Sequence, residues 1–157
     1  MMQRSRKAQR RKAIAAMEMA FVSPMIIFLL LGVWEIGRAV ETQQILSNAA
    51  REGGRQASTA LKTTAQVQQD VLNYLQFAGL NNTGATVTIT NLTQASRSSP
   101  DTALNLDHLQ VSVSIPVNNI KWVVTSPFLQ SSTLTATSDW YSMKNLPVTV
   151  SSVIPVQ

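Results

Sequence analysis

Residues 11–38 read RKAIAAMEMAFVSPMIIFLLLGVWEIGR, and this stretch decides the fold. Only Ser23 and Pro24 interrupt the apolar residues in its middle. A helix over residues 14–37 would be roughly 36 Å long at about 1.5 Å per residue, enough to cross a ~30 Å hydrocarbon core. The stretch therefore predicts a transmembrane helix over residues 14–37. Pro24 predicts a kink in it, because proline removes one helical hydrogen bond.

Positive charge is concentrated just before this run. The first twelve residues hold six of the 13 Lys and Arg residues and no acid, whereas the rest holds seven (13 − 6) against all eight Asp and Glu residues. This asymmetry predicts a basic cytoplasmic leader over residues 1–13. The residues that follow the membrane segment are predicted to lie outside the cytoplasm. A nucleic-acid binder would spread its basic residues over a folded face, so no nucleic-acid partner is expected. Lys12, Trp34 and Arg38 are predicted to lie at the membrane interfaces.

Two other interpretations of the apolar run are weaker. A secretory signal peptide has the same basic-then-apolar plan, but no A-x-A-like cleavage site follows promptly, and Gly37-Arg38-Ala39 is the nearest candidate. A buried core helix does not fit a long uncharged run next to six cations. A retained membrane anchor is the favoured interpretation.

The helical pattern continues past the membrane segment, over residues 38–62. This helix extension is predicted to be exposed to solvent, as the second half of one helix from about residue 14 to about residue 61. Gly53 and Gly54 weaken the prediction, because each glycine costs a helix about 1 kcal/mol relative to alanine. A weak apolar stripe is expected at Ile36, Val40, Ala50, Ala57 and Leu61.

An outer α+β domain is predicted over residues 63–157. Thr63 or Thr64 can cap a short helix that ends at Gly79. Its apolar face comprises Val67, Val71, Tyr74, Leu75 and Ala78.

In the rest of the outer domain, apolar residues recur at every second position. Alternation of apolar and polar residues around Val87, Val113 and Ala136 predicts a small antiparallel sheet of about three strands with polar outer faces, packed on a helix. Loops are expected at residues 97–101 and around Ser126-Pro127. The tail at residues 146–157 is either an edge strand or unstructured.

Catalytic patterns are absent from the sequence. The chain has no cysteine, no phosphate-binding loop and no spacing of metal ligands. His108 is the single histidine, and its neighbour Asp107 would point to the opposite face of a strand, so the two cannot form a relay. We expect no enzyme activity, no cofactor, no metal and no small-molecule substrate.

Several features at fixed spacing give the N-terminal segment a family resemblance. A small residue, Ala13, lies five positions before Glu18, and Pro24 lies six after it. A Glu-x-Gly-Arg sequence ends the apolar run at residues 35–38, and Ala-Ala-Arg-Glu-Gly follows at residues 49–53. With its basic leader, the segment resembles the TadE-like proteins, which are minor pilins (pseudopilins) of the Tad tight-adherence pilus in the type IV pilus superfamily.

The resemblance implies a function and its site residues. A prepilin peptidase would cleave between Ala13 and Ile14, which makes Glu18 the fifth residue of the mature chain. The superfamily more often has glycine where Ala13 stands. In a filament, the Glu18 carboxylate would pair with the new amino group of a neighbouring subunit. The implied partners are the lipid bilayer, the peptidase, other pilins and the pilus assembly platform. The implied fold is pilin-like, and the implied location is the bacterial inner membrane or a surface pilus.

Three alternatives stay open on the sequence. Glu18 can extend to the cytoplasmic interface without any partner. The protein can be an unprocessed single-pass membrane protein with an extracytoplasmic ligand-binding domain. It can also be a secreted β-rich binding module released by signal peptidase. The N-terminal residue of the protein recovered from its own cells would distinguish these cases.

Overall fold

The computed structural model describes residues 2–81, 83–120 and 132–145, with side chains from residue 10 onward. Its elements are a long helix, a short helix and a three-stranded antiparallel sheet. This architecture confirms the predicted α+β class. The predicted loop around Ser126-Pro127 and the tail at residues 146–157 lie outside the described residues.

Helix α1 spans Met2–Ser58 without interruption and continues through Pro24. It therefore begins within the basic leader, earlier than the predicted start near residue 14, and ends slightly before residue 61. The end is set near Ala60, whose φ of +53° lies in the left-handed region and cannot continue a right-handed helix.

Helix α2 spans Thr64–Phe77 and follows the predicted boundary signals closely. Thr63 is the N-cap: its hydroxyl accepts from the Gln66 backbone N–H, and the Gln66 side chain accepts from the Thr63 N–H. Gly79 has a φ of +86°, a conformation that glycine adopts without strain, so it terminates the helix as predicted. The buried residues of α2 are Val67, Val71 and Leu75, whereas Tyr74 and Ala78 are exposed.

The sheet is an antiparallel meander in the order β1-β2-β3. Its strands are β1 (Thr86–Asn91), β2 (His108–Pro116) and β3 (Thr133–Tyr141). Val113 at the centre of β2 lies opposite Val87 on one side and Ala136 on the other. All three are buried, and the alternating residues on the opposite face are partly or fully exposed, as the period of two predicts. The predicted loop at residues 97–101 lies between β1 and β2 and contains parts of two short 3₁₀ turns.

The second half of α1 lies on the inner face of this sheet. Its buried side chains are mostly small: Thr42, Leu46, Ala49, Ala50, Ala57 and Ser58. The expected stripe is therefore only partly right, because Ala50 and Ala57 are buried while Ile36, Val40 and Leu61 are exposed. The prediction of an exposed second half holds for the side of α1 that faces away from the sheet.

Gly53 and Gly54 explain why small residues are needed here. A Cβ at Gly53 would lie 2.7 Å from Val71 Cγ2, and one at Gly54 would overlap the Trp140 ring. The two glycines thus allow α2 and β3 to approach the α1 backbone closely. They cost helix propensity, and the close packing on both sides offsets that cost.

Candidate functional site

The first half of α1 carries every residue singled out for processing and assembly. From Arg10 to Trp34 all side chains are exposed except that of Ser23, which is half-buried. Phe21 is 76% exposed and Val33 is 70% exposed. Within the described residues, α1 alone is long and apolar enough to cross a membrane. The helix fits a single-pass membrane protein, because so much exposed apolar surface requires lipid or other protein to cover it.

Ile14, on the C-terminal side of the predicted cut, and Glu18 are four residues apart and share one side of α1. Ala13 and Ile14 are exposed, and Glu18 lies one turn beyond Ile14, about 6 Å along the axis. Within the described part of the chain, the Glu18 side chain makes no hydrogen bond or ion pair. The site is therefore accessible to another molecule, and no counter-charge among the described residues contacts the Glu18 carboxylate.

Pro24 and Trp34 mark positions along the same exposed surface. Pro24 has no N–H to donate to the carbonyl of Ala20, one turn earlier in α1. The kink predicted there stays a prediction. Trp34 is 67% exposed near the end of the apolar run, where an indole ring is favourable at a membrane interface.

Arg38 connects the apolar half of α1 to the outer domain. Its Nε donates to the Ile120 carbonyl oxygen at 3.1 Å, across 82 positions of sequence. The Thr42 hydroxyl donates to the Arg38 carbonyl oxygen at 2.9 Å. Besides its predicted place at the membrane interface, Arg38 therefore ties the loop after β2 to the base of the domain.

A buried carboxylate, that of Asp107, lies at the centre of a polar cluster in the described part of the outer domain. Asp107 accepts from Arg97 Nη2 at 2.9 Å, from Asn91 Nδ2 at 3.0 Å and from the Leu104 N–H at 2.9 Å. The Arg97 guanidinium, helped by the other two donors and opposed by burial, holds the pKa of Asp107 well below its usual range. Sequence reasoning missed this cluster, because its side chains, Asn91, Arg97 and Asp107, are separated by six to sixteen positions and meet only through the loop between β1 and β2.

His108 does not join Asp107, as predicted. Its Nε2 lies 3.3 Å from Asp139 Oδ1 on β3, and its ring stacks on Tyr141 with centroids 5.0 Å apart. The described residues contain no group of His, Asp and Glu side chains suited to hold a metal ion. A cavity of about 600 Å³ beside Leu75 and Gln76 is lined, among the described residues, only by uncharged side chains.

Comparison with known proteins bears on the same helix. Residues 13–55 match the family model described as TadE-like protein. The N-terminal segment is TadE-like. This match confirms the family resemblance, and it begins at Ala13, the residue before the expected cut. No curated protein matches the chain. No solved structure matches it.

The TadE-like segment lies within α1 and ends before α2 and the sheet. It includes the exposed apolar half with Glu18 and the small buried residues up to Arg55. The family implies a protein associated with the Tad pilus. The sheet and α2 lie outside the matched residues.

Proposed function

We propose that this protein is a minor pilin or pseudopilin-like component of a Tad-type pilus assembly system. A prepilin peptidase hydrolyses the Ala13–Ile14 peptide bond and leaves a carboxylate on Ala13 and an amino group on Ile14. The mature protein acts in pilus assembly or surface adhesion. The observation that carries the proposal is Glu18, exposed within the TadE-like segment one turn beyond the new amino group.

The chemistry of the proposed site follows from the exposure of α1. A charge at the apolar centre of a filament is costly unless it is paired. The Glu18 carboxylate and the Ile14 amino group of a neighbouring subunit compensate each other when the helices pack together. The basic leader holds the cleavage site at the anionic inner leaflet until the cut is made.

The proposal includes a topology and four regions. Residues 1–13 are the cytoplasmic leader, residues 14–37 cross the bacterial inner membrane, residues 38–62 extend the helix and residues 63–157 form the extracytoplasmic domain. The positive-inside rule supports this orientation. Other pilins and the assembly platform are the proposed protein partners, and no catalytic role is assigned to the chain.

Glu18→Ala tests the proposal in cells that assemble the pilus. We expect membrane insertion to persist, because removing a charge makes the helix more apolar. Cleavage after Ala13 should also persist to a substantial extent, because it depends on the leader and the cut site. Filament number should fall by about tenfold or more, since the loss of a buried charge pair exceeds ~1.4 kcal/mol. Glu18→Gln should fail similarly. Mass spectrometry of the N-terminus and a count of surface filaments measure the two effects.

Two further variants serve as controls. Glu41→Ala removes an exposed carboxylate from the outer half of the same helix and should leave assembly unchanged. Ala13→Gly should be cleaved at least as well as the natural sequence, because glycine is smaller and more flexible. An intact leader on the recovered protein would favour an unprocessed membrane protein. Normal assembly of Glu18→Ala would contradict the pairing role.

A further inference from the structure

A cleft of about 320 Å³ lies on the side of α1 that faces away from the sheet. Four of its lining residues recur every three or four positions along α1, so their side chains share one side of the helix. Among the described residues, the lining side chains are Asn48, Arg51, Glu52, Arg55, Tyr74 and Trp140. The volume is near the lower end of the range of about 300–1,000 Å³ that small-molecule sites occupy. The cleft therefore has the size of a small-molecule site.

Trp140 forms a fixed apolar wall of this cleft. Its ring packs so closely over Gly54 that a Cβ there would overlap it. Its indole N–H donates to the Ser138 hydroxyl at 2.8 Å, so the one polar atom of the ring is already satisfied within the chain. The half-buried ring therefore offers the cleft an apolar face that is held in place before any ligand binds.

The Glu52 carboxylate is an oriented acceptor in the same cleft. It accepts from Arg55 Nε at 2.9 Å, from Arg55 Nη2 at 2.6 Å and from Gln56 Nε2 at 2.9 Å. These hydrogen bonds lower the pKa of Glu52 to about 2, so the group is ionised at neutral pH and can only accept. A carboxylate has roughly four lone-pair sites, which leaves room for a hydroxyl group of a ligand to donate to it.

Three polar groups of the cleft have no partner within the described residues. The Arg51 guanidinium, the Asn48 amide and the Tyr74 hydroxyl make no hydrogen bond or ion pair there. Arg51 and Asn48 are exposed, and Tyr74 is 37% exposed. Because Arg55 is paired with Glu52, Arg51 supplies a positive charge that no other lining residue balances.

This combination of groups selects a class of ligand. An apolar face beside both donors and acceptors suits a sugar ring, which has a C–H face and hydroxyl groups that donate and accept. The free guanidinium suits a carboxylate on that sugar, because the two can form paired hydrogen bonds. An aromatic carboxylate fits less well, since it has no hydroxyl to donate to Glu52. A single free cation is too little positive charge for nucleic acid or for an anionic membrane surface.

We propose that this cleft binds an acidic sugar, namely a uronic acid unit of a polysaccharide. The sugar ring lies on the face of Trp140, and its carboxylate accepts from Arg51. Its hydroxyl groups donate to Glu52 and exchange hydrogen bonds with Asn48 and Tyr74. This inference goes beyond the proposed pilus function and does not depend on it, because the cleft is built entirely within the folded outer half of the chain.

Saturation-transfer NMR on the full-length protein in detergent micelles tests the site. The probe is a trimer of galacturonic acid, and the trimer of galactose is its neutral counterpart. We expect the acidic trimer to bind with a Kd of about 1 mM or lower and the neutral trimer to bind about tenfold more weakly. No transfer to the acidic trimer at about 10 mM, or equal affinity for the two trimers, would overturn the proposal.

Two variants and a matched control assign the binding to the cleft. Arg51→Ala should weaken binding of the acidic trimer by about tenfold and leave the neutral trimer unchanged, because it removes the free charge. Tyr74→Phe should weaken both trimers by about threefold, because it removes one hydroxyl. Tyr141→Phe makes the same change at a 58% exposed side chain on the opposite face of the sheet and should alter neither.

The folded state should be the same in all three variants. None of the removed groups makes a hydrogen bond or ion pair within the described residues, so the thermal midpoint of the outer domain should not change. Unchanged affinity for the acidic trimer in Arg51→Ala would refute the site. A loss in Tyr141→Phe equal to that in Tyr74→Phe would place the binding elsewhere on the chain and refute it as well.

Discussion

The two halves of the continuous helix α1 differ in the size and the burial of their side chains. Between residues 14 and 37 most of the side chains are large and apolar, and nearly all are exposed. Between Thr42 and Ser58 most of the side chains on the inner face are small, and they are fully or almost fully buried. Leu46 is the one large apolar residue of this second half that is fully buried.

The difference shows what each half is built to contact. Lipid or neighbouring helices can adapt to large side chains, so the first half needs only apolar surface of sufficient length. The second half meets a fixed partner, the sheet, and close packing requires small residues wherever the two backbones approach. Side-chain size along α1 therefore separates the membrane half from the domain half better than apolar character does.

Val113→Asp should show the largest effect on the domain half. Val113 is fully buried under α1, and an unpaired carboxylate there should cost about 4 kcal/mol or more of unfolding free energy. Val33→Asp makes the same change in the exposed half and should leave the outer domain folded while it weakens membrane insertion. Hydrogen exchange of the β2 amides in detergent micelles measures the first effect. Protection of these amides in Val113→Asp equal to that of the natural chain would contradict the packing.

Two glycines, one in each half of α1, test the same comparison with a smaller expected loss of stability. Gly54→Ala should lower the free energy of unfolding by about 1–3 kcal/mol, because the new methyl group overlaps the Trp140 ring. A Cβ at Gly32 meets no atom within 4 Å, so Gly32→Ala should leave the outer domain unchanged. Thermal unfolding followed by near-ultraviolet circular dichroism compares the two variants. Equal midpoints would mean that the contact between α1 and β3 is looser than described.

Sequence reasoning recovered the elements but only part of the buried face of α1, at Ala50 and Ala57. The strands were predictable because Val113 and its neighbours alternate strictly, and α2 was predictable because Thr63 and Gly79 act locally. The rest of that face was missed because Gly53 and Gly54 carry no apolar signal, and their close contacts with α2 and β3 depend on distant residues.

The candidate site likewise has features that the local sequence predicts and features that it does not. The spacing of Ala13, Glu18 and Pro24 along a single helix is local, so the sequence alone indicated the family that the comparison confirmed. The Asp107 cluster depends on loop geometry that no short pattern encodes. Proximity of Arg97 and Asp107 could be inferred only once the strands were paired.

Acid titration should give the smallest effect, again confined to the domain half. Hydrogen bonds from Arg55 and Gln56 lower the pKa of Glu52 to about 2. Because the folded pKa is depressed, this carboxylate stabilises the domain above about pH 4.5 and loses that effect as the pH falls toward about 2. Glu52→Gln should flatten the pH dependence of unfolding in this window by no more than about 1 kcal/mol, since the ion pair is on the surface.

The control for this titration is Glu41→Gln, which removes the same charge from α1 without removing that ion pair. The slope between pH 4.5 and about 2 should be smaller in Glu52→Gln than in this control, because only Glu52→Gln removes the contact with Arg55. Asp107 contributes in the same direction and stays intact in both variants. An identical slope for Glu52→Gln and Glu41→Gln would show that the Arg55 contact adds nothing to stability.

The Arg38–Ile120 hydrogen bond has a mechanical consequence. It joins the base of the outer domain to the helix that carries the apolar half, and so it opposes rotation of the domain relative to that helix. A change of about 10° in the tilt of α1 would displace Ser58 by about 5 Å, because some 30 Å of stiff helix acts as a lever. Any bend at Pro24 is therefore converted into a lateral swing of the far end of the molecule.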